Sequence, residues 1–404
     1  MRKKLHLILL LLAQILILFM SSCSKAQDAS PASTSDSNTL KTADNAQVTS
    51  ISPTVTVKAE ANMQESTAEP ETAPVPESTP SPEEAAPSSE SSTPKEATAT
   101  EEPLTEAEPN LTQPPLSAVN FDPTATISDS IPEKYLARRI DYCGTIEMIT
   151  YDTYDYFGDN SKIQKSAFVY LPYGYDESKK YNVLYLMHGI GGNEREWGMV
   201  SNNSTVKILM DNLIYYGDIE PFIIVTPNGR SSKDYANTNS DFNSFYKFGL
   251  ELRNDLIPYM EANYSTYAEY DENGYDMTAA REHRAMAGLS MGAMQTINIG
   301  LCECLDIISY FGAFSACPTT YTSSQIASHL KQFEDYDINY FYNICGTADG
   351  IAITHARNAV SNLTSLTDKL KEDENFLWQE IPGGNHDFKV WYLAFYNFAQ
   401  LVFK

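Results

Sequence analysis

The chain has 404 residues, of which 42% are hydrophobic and 20% are charged, and its formal net charge at pH 7 is −25. Such an acidic chain is a poor partner for nucleic acid, because binding to phosphates needs a basic face. The hydrophobic residues suffice for a large core, but after the first 20 residues they are concentrated from about residue 131 to residue 404.

Residues 1–22 are typical of an export signal. A basic head at residues 2–4 precedes an apolar run at residues 5–20, which is short for a membrane-spanning helix. Two serines then lead to Cys23. This pattern resembles a bacterial lipoprotein signal, in which the cysteine receives lipid and becomes the new N-terminus. We therefore expect a lipid-anchored protein on the extracellular face of a bacterial membrane, at the cell surface.

Residues 23–130 form a segment of Ser, Thr, Pro, Ala and Glu with almost no aromatic residues. From residue 24 to residue 130 there are 18 Asp and Glu against four Lys. Such a composition cannot bury enough apolar surface to offset the entropy of ordering the chain. The sequence therefore predicts a disordered tether here, and catalytic residues are not expected in it.

Residues 131–404 carry eight apolar runs bounded by turn residues, at 145–151, 166–171, 181–187, 221–227, 284–289, 307–314, 339–345 and 376–381. Helical patterns separate these runs from the third one onward, which indicates βαβ units and a mostly parallel sheet with helices on both faces. The first two runs have no helix between them and predict an antiparallel start. Eight strands in this order predict an α/β-hydrolase fold.

The stretch AMAGLSMGAMQT places Ser290 between two glycines, directly after a predicted strand and before a predicted helix. This is the context of a nucleophile elbow, where the turn is so tight that only Gly288 and Gly292 fit beside the serine. The N–H of Met291, at the start of the helix, is then expected to point at a developing oxyanion.

A serine nucleophile needs a base and an orienting acid, which follow it in the order acid and then histidine in this fold. His386 is the one histidine on a Gly-rich loop after the last strand, and Asp349 follows the strand before it. The sequence predicts these two residues as base and acid, and Asp387 as the N-cap of the last helix. Asp337 and Asp373 are rivals for the acid, although each precedes a strand and so lies at the other end of the sheet.

The glycine-rich loop MHGIGGNEREW follows the third strand, where the N–H of Ile190 is expected to be the second oxyanion donor. His188 is interpreted as a structural hydrogen-bonding residue. Trp197 and Tyr235 are candidates for binding a phenolic acid or a sugar ring, whereas Trp391 is expected to pack in the core.

Five cysteines lie in this part of the chain, at positions 143, 302, 304, 317 and 345. Their odd number and irregular spacing predict buried free thiols rather than a disulfide scaffold or a zinc site. No metal and no cofactor are expected, and the oligomeric state is open.

The motifs YLMHGIGGNEREW, FGLELRNDLIPYMEANY, HRAMAGLSMGAMQT, CGTADG and GGNHDFKVW together resemble carbohydrate esterase family 1, above all the feruloyl esterase modules of bacterial xylanases. The resemblance implies an α/β-hydrolase fold, with Ser290 as nucleophile, His386 as base and Asp349 as acid. It also implies that Ile190 and Met291 are the oxyanion donors, and that the substrates are phenolic esters of plant cell-wall polysaccharide.

Other functions remain open at this stage. The same triad would serve an acetylxylan esterase, or an acyltransferase acting on an acceptor in the cell envelope. A catalytically inactive binding domain is disfavoured because every part of the triad is present. The leading hypothesis is a serine carboxylesterase that removes feruloyl groups from xylan.

Overall fold

The computed structural model describes residues 127–404, so the predicted export signal, Cys23 and nearly all of the predicted tether lie outside the described residues. Eight strands form one sheet: β1 (Thr145–Tyr154), β2 (Lys162–Leu171), β3 (Val183–Met187), β4 (Ile223–Pro227), β5 (Arg284–Leu289), β6 (Tyr310–Phe314), β7 (Tyr340–Gly346) and β8 (Phe376–Ile381). Each coincides with one of the eight runs predicted from the sequence.

The strand order in the sheet is β1-β2-β4-β3-β5-β6-β7-β8. β1 and β2 form an antiparallel hairpin and β2 pairs antiparallel with β4, while the other strands are parallel. Every residue of β3, β4, β5, β6 and β7 is buried, as expected for parallel strands covered on both faces. The α/β-hydrolase fold predicted from the sequence is confirmed.

The helices are α1 (Glu133–Leu136), α2 (Thr205–Tyr216), α3 (Phe248–Glu251), α4 (Ile257–Asn263), α5 (Met291–Gln295), α6 (Ser323–Leu330), α7 (Ile353–Val360), α8 (Leu363–Leu366) and α9 (Phe388–Ala399). Short 3₁₀ segments occupy Phe242–Lys247, Met277–His283 and Lys331–Phe333, and π-helical turns continue α3 through Leu252–Leu256 and α5 through Thr296–Leu301. α7 and α8 are separate helices, because Asn362 between them is left-handed with φ 55°.

Two apolar layers hold the helices against the sheet. One layer packs α2 and α9 on one face, with Leu209, Leu213 and Phe395 among its buried side chains. The other layer packs the segment from α3 to α4, the helix that begins with α5, and α6 to α8 on the opposite face. Helices therefore cover both faces, and the carboxyl ends of the parallel strands meet at one edge of the sheet.

The N-terminal end of the described chain contacts the sheet. The side chain of Asn397 on α9 donates to the carbonyl of Ser128 at 2.9 Å, and Gln379 on β8 donates to Asp129 at 3.0 Å. Residues 127–130, assigned to the tether from composition, thus contact the folded part of the chain. In the part of the chain from 127 onward, no helix has the length and apolar character that crossing a membrane requires.

Candidate active site

Ser290 lies in the turn between β5 and α5, with a backbone conformation that L-residues rarely adopt. Its φ is 52° and its ψ is −110°, and its N–H donates to the carbonyl of Phe314 on β6 at 2.9 Å. A backbone in such a region costs about 1–3 kcal/mol and is found mostly at functional sites. The turn at Ser290 therefore has the strained backbone geometry that the prediction of a nucleophile elbow requires.

Gly288 and Gly292 are required by close approach of the backbone. A Cβ on Gly288 would lie 2.7 Å from the carbonyl carbon of Gly292, and a Cβ on Gly292 would lie 2.7 Å from the carbonyl oxygen of Met187. Any side chain at either position would force β3, β5 and α5 apart. This explains why two glycines bracket the serine.

Ser290, His386 and Asp349 form one chain of hydrogen bonds. Nε2 of His386 lies 3.0 Å from Oγ of Ser290, and Nδ1 of His386 lies 2.8 Å from Oδ2 of Asp349. Asp349 is fully buried, whereas the side chain of His386 is 18% exposed. The structure thus brings together the three residues that the sequence selected, in the arrangement by which a base activates a hydroxyl.

The surroundings of Asp349 keep its carboxyl ionised. Burial favours its neutral form, but the hydrogen bond and attraction to His386 and the N–H of Ala352 overcome that effect, and the pKa of the carboxyl lies below its usual range. Its second oxygen, Oδ1, accepts from the N–H groups of Ile351 at 3.1 Å and Ala352 at 2.9 Å. These bonds leave Oδ2 directed at the histidine.

The loops that carry Asp349 and His386 are fastened to each other. The N–H of Ala348 donates to the carbonyl of Gly384 at 2.9 Å, and the N–H of Gly383 donates to Oγ1 of Thr347 at 2.9 Å. A Cβ on Gly346 would lie 2.2 Å from the carbonyl oxygen of Gly384, so the backbones are in direct contact. The acid and the base are therefore positioned relative to one another by backbone contacts.

The other acidic residues considered from the sequence lie elsewhere. Asp337 and Asp373 are exposed and precede β7 and β8, at the end of the strands away from Ser290. Asp387 caps α9, since its Oδ1 accepts from the N–H groups of Lys389 and Val390. The prediction for the N-cap is confirmed.

Trp391 is 7% exposed and packs edge-on against the ring of His386, with centroids 5.0 Å apart and an interplanar angle of 90°. The prediction that Trp391 belongs to the core is confirmed. Its ring contacts the imidazole of His386 from the side of α9.

The glycine-rich loop at residues 188–196, which we call the oxyanion loop after its predicted role, passes directly beside Ser290. A Cβ on Gly189 would lie 3.5 Å from the Cβ of Ser290. The carbonyl of Gly189 accepts from Nδ1 of His188 at 2.7 Å and from the N–H of Gly192 at 3.1 Å. Because a trans peptide is planar, fixing this carbonyl also fixes the N–H of Ile190 in the opposite direction.

His188 acts here as a buried, neutral hydrogen-bonding residue. Its Nε2 accepts from the N–H of Gly229 at 2.9 Å, so the proton must be on Nδ1, which donates to Gly189. Burial lowers the pKa of His188 to about 3, and the imidazole stays uncharged. The structural role assigned to His188 from the sequence is confirmed.

Arg230 was not identified from the sequence, although it anchors the same loop. Its guanidinium is fully buried and donates to the carbonyls of Gly192 at 2.8 Å, Ile190 and Thr238. The ring of Phe245 lies 4.6 Å from its guanidinium carbon. Arg230 therefore holds two carbonyls of the oxyanion loop on the side away from solvent.

A buried ion pair fixes the loop that carries Arg230. Nζ of Lys165 donates to Glu251 at 2.7 Å and to the carbonyls of Asn228 and Arg230 at 2.8 and 2.7 Å, and both side chains are fully buried. Glu251 also accepts from the hydroxyls of Tyr151 and Ser231. A buried pair with every partner satisfied favours one conformation of the loop.

Glu196 fastens the start of the oxyanion loop. Its Oε2 accepts from the N–H of Gly189 at 2.6 Å, and burial raises the pKa of its carboxyl. Glu196 belongs to the glycine-rich loop itself, but its position in the sequence does not show that it accepts from Gly189. Arg230 and Lys165 could not have been identified from that loop, because their partners lie far away in the sequence.

The prediction that Trp197 binds substrate is wrong. Trp197 is 1% exposed, its Nε1 donates to the carbonyl of Met187 at 3.0 Å, and its ring packs against Phe314 and Phe388 in the core. Its side chain turns inward because packing the ring against Phe314 of β6 and Phe388 of α9 removes a large apolar surface from water. Tyr235 is half-buried beside Lys165, and its role in substrate binding stays a prediction.

The cysteines are unpaired, as predicted. All five in the described part of the chain are free, and those at positions 302, 304, 317 and 345 are buried. Among residues 127–404, no group of three or more His, Cys, Asp or Glu is placed to hold a metal ion.

The arrangement can perform acyl transfer. A hydroxyl held by a histidine can attack a carbonyl carbon, and the backbone N–H groups of Ile190 and Met291 stay the predicted donors to the oxyanion. The N–H of Met291 lies in the first turn of α5, where backbone N–H groups lack partners within the helix. Fold and site together define an α/β hydrolase with a serine, histidine and aspartate constellation.

Comparison with known proteins places the chain in a family. The family model described as "Putative esterase" matches residues 161–395, which is more than half of the chain. The chain therefore belongs to this esterase family, a class of carboxylic ester hydrolases.

Curated relatives include endo-1,4-beta-xylanase Y of Acetivibrio thermocellus, which is 38% identical over 195 residues, covering 48% of this chain and 16% of that protein. An endo-1,4-beta-xylanase/feruloyl esterase of Xylanibacter ruminicola is 29% identical over 272 residues, covering 65% of this chain and 32% of that protein. The chain thus spans less than a third of the length of either relative.

Solved structures with a similar fold include the feruloyl esterase module from Clostridium thermocellum complexed with sinapinate, with a TM-score of 0.57 and 28% identity. The match covers 68% of this chain and 92% of the Clostridium thermocellum chain. A carbohydrate esterase family 1 ferulic acid esterase from Anaeromyces mucronatus has a TM-score of 0.55 and 26% identity, covering 69% and 97% of the two chains. The resemblance to this family, stated from the motifs, is confirmed.

Proposed function

We propose that this protein is a feruloyl esterase, which hydrolyses the ester between a hydroxycinnamic acid and plant cell-wall polysaccharide. The observation that carries the proposal is the hydrogen-bonded chain from Ser290 through His386 to Asp349. The site belongs to an esterase family, and relatives of this chain are named as xylanases or feruloyl esterases.

In the first half of the reaction, Oγ of Ser290 attacks the ester carbonyl carbon while Nε2 of His386 takes the hydroxyl proton. The carbonyl π electrons move to the oxygen, which accepts from the N–H groups of Ile190 and Met291. Collapse of this intermediate breaks the bond to the sugar oxygen, and His386 returns the proton to that leaving group. The acyl group remains on Ser290.

In the second half, water attacks the acyl carbon and His386 takes one of its protons. The oxyanion forms again at the same donors, and its collapse breaks the bond to Oγ, which regains its proton from His386. The products are free acid and enzyme. Asp349 keeps the imidazole in the tautomer with a proton on Nδ1 and stabilises the imidazolium.

Two parts of this proposal have different support. The feruloyl group is proposed from the names of the relatives, and the location outside the cell is proposed from the N-terminal sequence. Export and lipidation of Cys23 would place the esterase outside a bacterial membrane, where its polymeric substrate is, and residues 23–130 would extend it from the surface. A Cys23→Ala variant is then expected to lose lipid labelling and detergent-phase partitioning.

Purified enzyme supplied with methyl ferulate and with acetylated xylan tests the proposal. We expect release of ferulate to exceed release of acetate by kcat/KM, and Ser290→Ala to abolish both. Preferential release of acetate would instead identify an acetylxylan esterase. Ferulate transferred to an added alcohol in preference to water would identify an acyltransferase.

A further inference from the structure

Ser315 follows β6 with a left-handed backbone. Its φ is 57°, a value that residues other than glycine rarely adopt, and its side chain is fully buried. A glycine at this position would adopt the same φ without strain. Strained residues of this kind are found mostly at functional sites, where the surrounding structure holds them in place. The side chain of Ser315 is therefore expected to have a role that a glycine could not fill.

The turn that contains Ser315 lies between the nucleophile and the strand that precedes the acid. The carbonyl of Phe314 accepts from the N–H of Ser290 at 2.9 Å. The next N–H along the chain, that of Ser315, donates to the carbonyl of Ile344 on β7 at 2.8 Å. These two hydrogen bonds fix the backbone of Ser315 at the carboxyl ends of β6 and β7.

The carboxylate of Asp349 has one acceptor position beyond those already described. An ionised carboxylate offers about four lone-pair sites. Oδ1 accepts from the N–H groups of Ile351 and Ala352, and Oδ2 lies 2.8 Å from Nδ1 of His386. One site on Oδ2 therefore remains. Because leaving a buried charged acceptor without a donor is unfavourable, we expect a further donor at Oδ2.

Two side chains at the ends of β6 and β7 can supply this donor. Sγ of Cys345 lies 3.6 Å from Oδ2, but a thiol is a weak donor. The hydroxyl of Ser315 is the stronger donor, and among residues 127–404 its Oγ makes no well-aligned hydrogen bond elsewhere. Burial opposes the ionisation of Asp349, and the hydroxyl of Ser315 is one of the groups that lower the pKa of its carboxyl in return. A hydroxyl hydrogen rotates about its C–O bond, so it can turn toward Oδ2.

We propose that Ser315 is a positioning residue for the catalytic acid: its hydroxyl donates to Oδ2 of Asp349 and holds the carboxylate in the orientation that faces His386. The inference rests on the proposed function, since it concerns the triad of that esterase, but it holds for any acyl group. The left-handed backbone aims the hydroxyl at Oδ2. Without the hydroxyl the carboxylate is held less firmly, and the pair of His386 and Asp349 takes up a proton more readily, because the anion has lost a donor.

Ser315→Gly tests the hydroxyl without straining the backbone. Glycine accepts this φ freely, so the variant should fold, with an unfolding temperature close to that of wild type. On p-nitrophenyl acetate we expect kcat to fall by about tenfold with KM little changed, because a hydrogen bond to a charged group is lost. The acid limb of the profile of kcat/KM against pH should move to higher pH by about half a unit.

Two further variants complete the comparison. Ser315→Ala also lacks the hydroxyl but keeps the strained φ, so it should match Ser315→Gly in kcat and in the position of the acid limb. Asn362→Gly is the matched control, because Asn362 is an exposed residue with a φ of 55° between α7 and α8. The same relief of backbone strain there should leave kcat and the pH profile at their wild-type values.

The outcomes distinguish a positioning role from a structural one. A lower kcat and a shifted acid limb in both Ser315 variants would support the proposal. Wild-type kcat and an unmoved acid limb in both would overturn it. A loss of kcat that only follows a loss of stability, with the acid limb unmoved, would also overturn it, because Ser315 would then merely shape the turn. Failure of the feruloyl assignment is measured with methyl ferulate and does not alter this comparison, which uses p-nitrophenyl acetate.

Discussion

The two sides of Ser290 are built in different ways. On the triad side, two side-chain hydrogen bonds connect Ser290, His386 and Asp349, and each residue follows the carboxyl end of a strand. On the oxyanion side, the expected donor at Ile190 is a backbone group. His188 sets its direction through the carbonyl of Gly189, and Arg230 holds the next peptide of the loop through the carbonyl of Ile190. The triad side depends on the chemistry of its side chains. The oxyanion side depends on buried side chains that hold a backbone N–H group in position.

This difference implies that substitutions on the two sides should have different effects on kcat and on stability. Removing a triad group removes the group that carries the proton or the charge that orients it. The fold should stay stable, because other contacts hold it together. Removing a buried brace of the oxyanion loop leaves the triad intact but lets a donor peptide rotate. The first change should lower kcat strongly, and the second should lower it less and also affect stability.

The largest expected effect is on the triad side. Asp349→Asn should lower kcat by about 10⁴-fold, because the amide favours the wrong tautomer of His386 and cannot stabilise the imidazolium. Thermal unfolding should show a folded protein. Activity within a few-fold of wild type would assign the acid elsewhere, and Asp337 and Asp373 would be the next residues to change.

A smaller effect is expected for the brace. Arg230→Lys keeps the charge but cannot reach the carbonyls of Ile190 and Gly192 with a planar fork, so the oxyanion donor loses its alignment. We expect kcat to fall by about 10²-fold with KM little changed, which is the typical cost of one oxyanion donor.

Arg253→Lys is the control for that substitution. Arg253 pairs with Asp306 on the surface, with 34% of its side chain exposed, so its replacement should leave kcat unchanged. If Arg230→Lys also leaves kcat unchanged, the direction of the Ile190 N–H does not depend on Arg230, and the two sides of the site are not distinct in this respect.

The smallest effect concerns His188 and pH. Its pKa is about 3 in the folded protein and about 6.5 when unfolded, so between these values the unfolded chain binds the extra proton. The neutral imidazole therefore contributes fully to the free energy of unfolding above about pH 6.5, and this contribution is lost as the pH falls. At pH 5 the loss amounts to about 2 kcal/mol.

Urea unfolding at pH 7 and pH 5 measures this contribution. His188→Asn retains a donor for the carbonyl of Gly189 but has no titrating group, so its free energy of unfolding should change less between the two pH values than that of wild type. Equal changes in both proteins would show that His188 is not the buried neutral imidazole described above.

The sequence predicted the triad side well and the oxyanion side only in part. A glycine-flanked serine at a strand–helix junction, with later strand ends for Asp349 and His386, is a local pattern with a fixed order. Arg230 and Lys165 could not be found in this way, because their roles depend on carbonyls brought near by folding. Trp197 was misassigned for the same reason, since its position in the loop did not reveal that its ring turns into the core.

The central claim is that Ser290 is the nucleophile that His386 activates, and labelling with a fluorophosphonate tests it most directly. The probe forms a bond from Oγ to phosphorus and releases fluoride only where a serine is activated. We expect one label per chain, located at Ser290 by peptide mass spectrometry, absent in Ser290→Ala and strongly slowed in His386→Ala. A label on another serine, or equal labelling of Ser290→Ala, would contradict the claim.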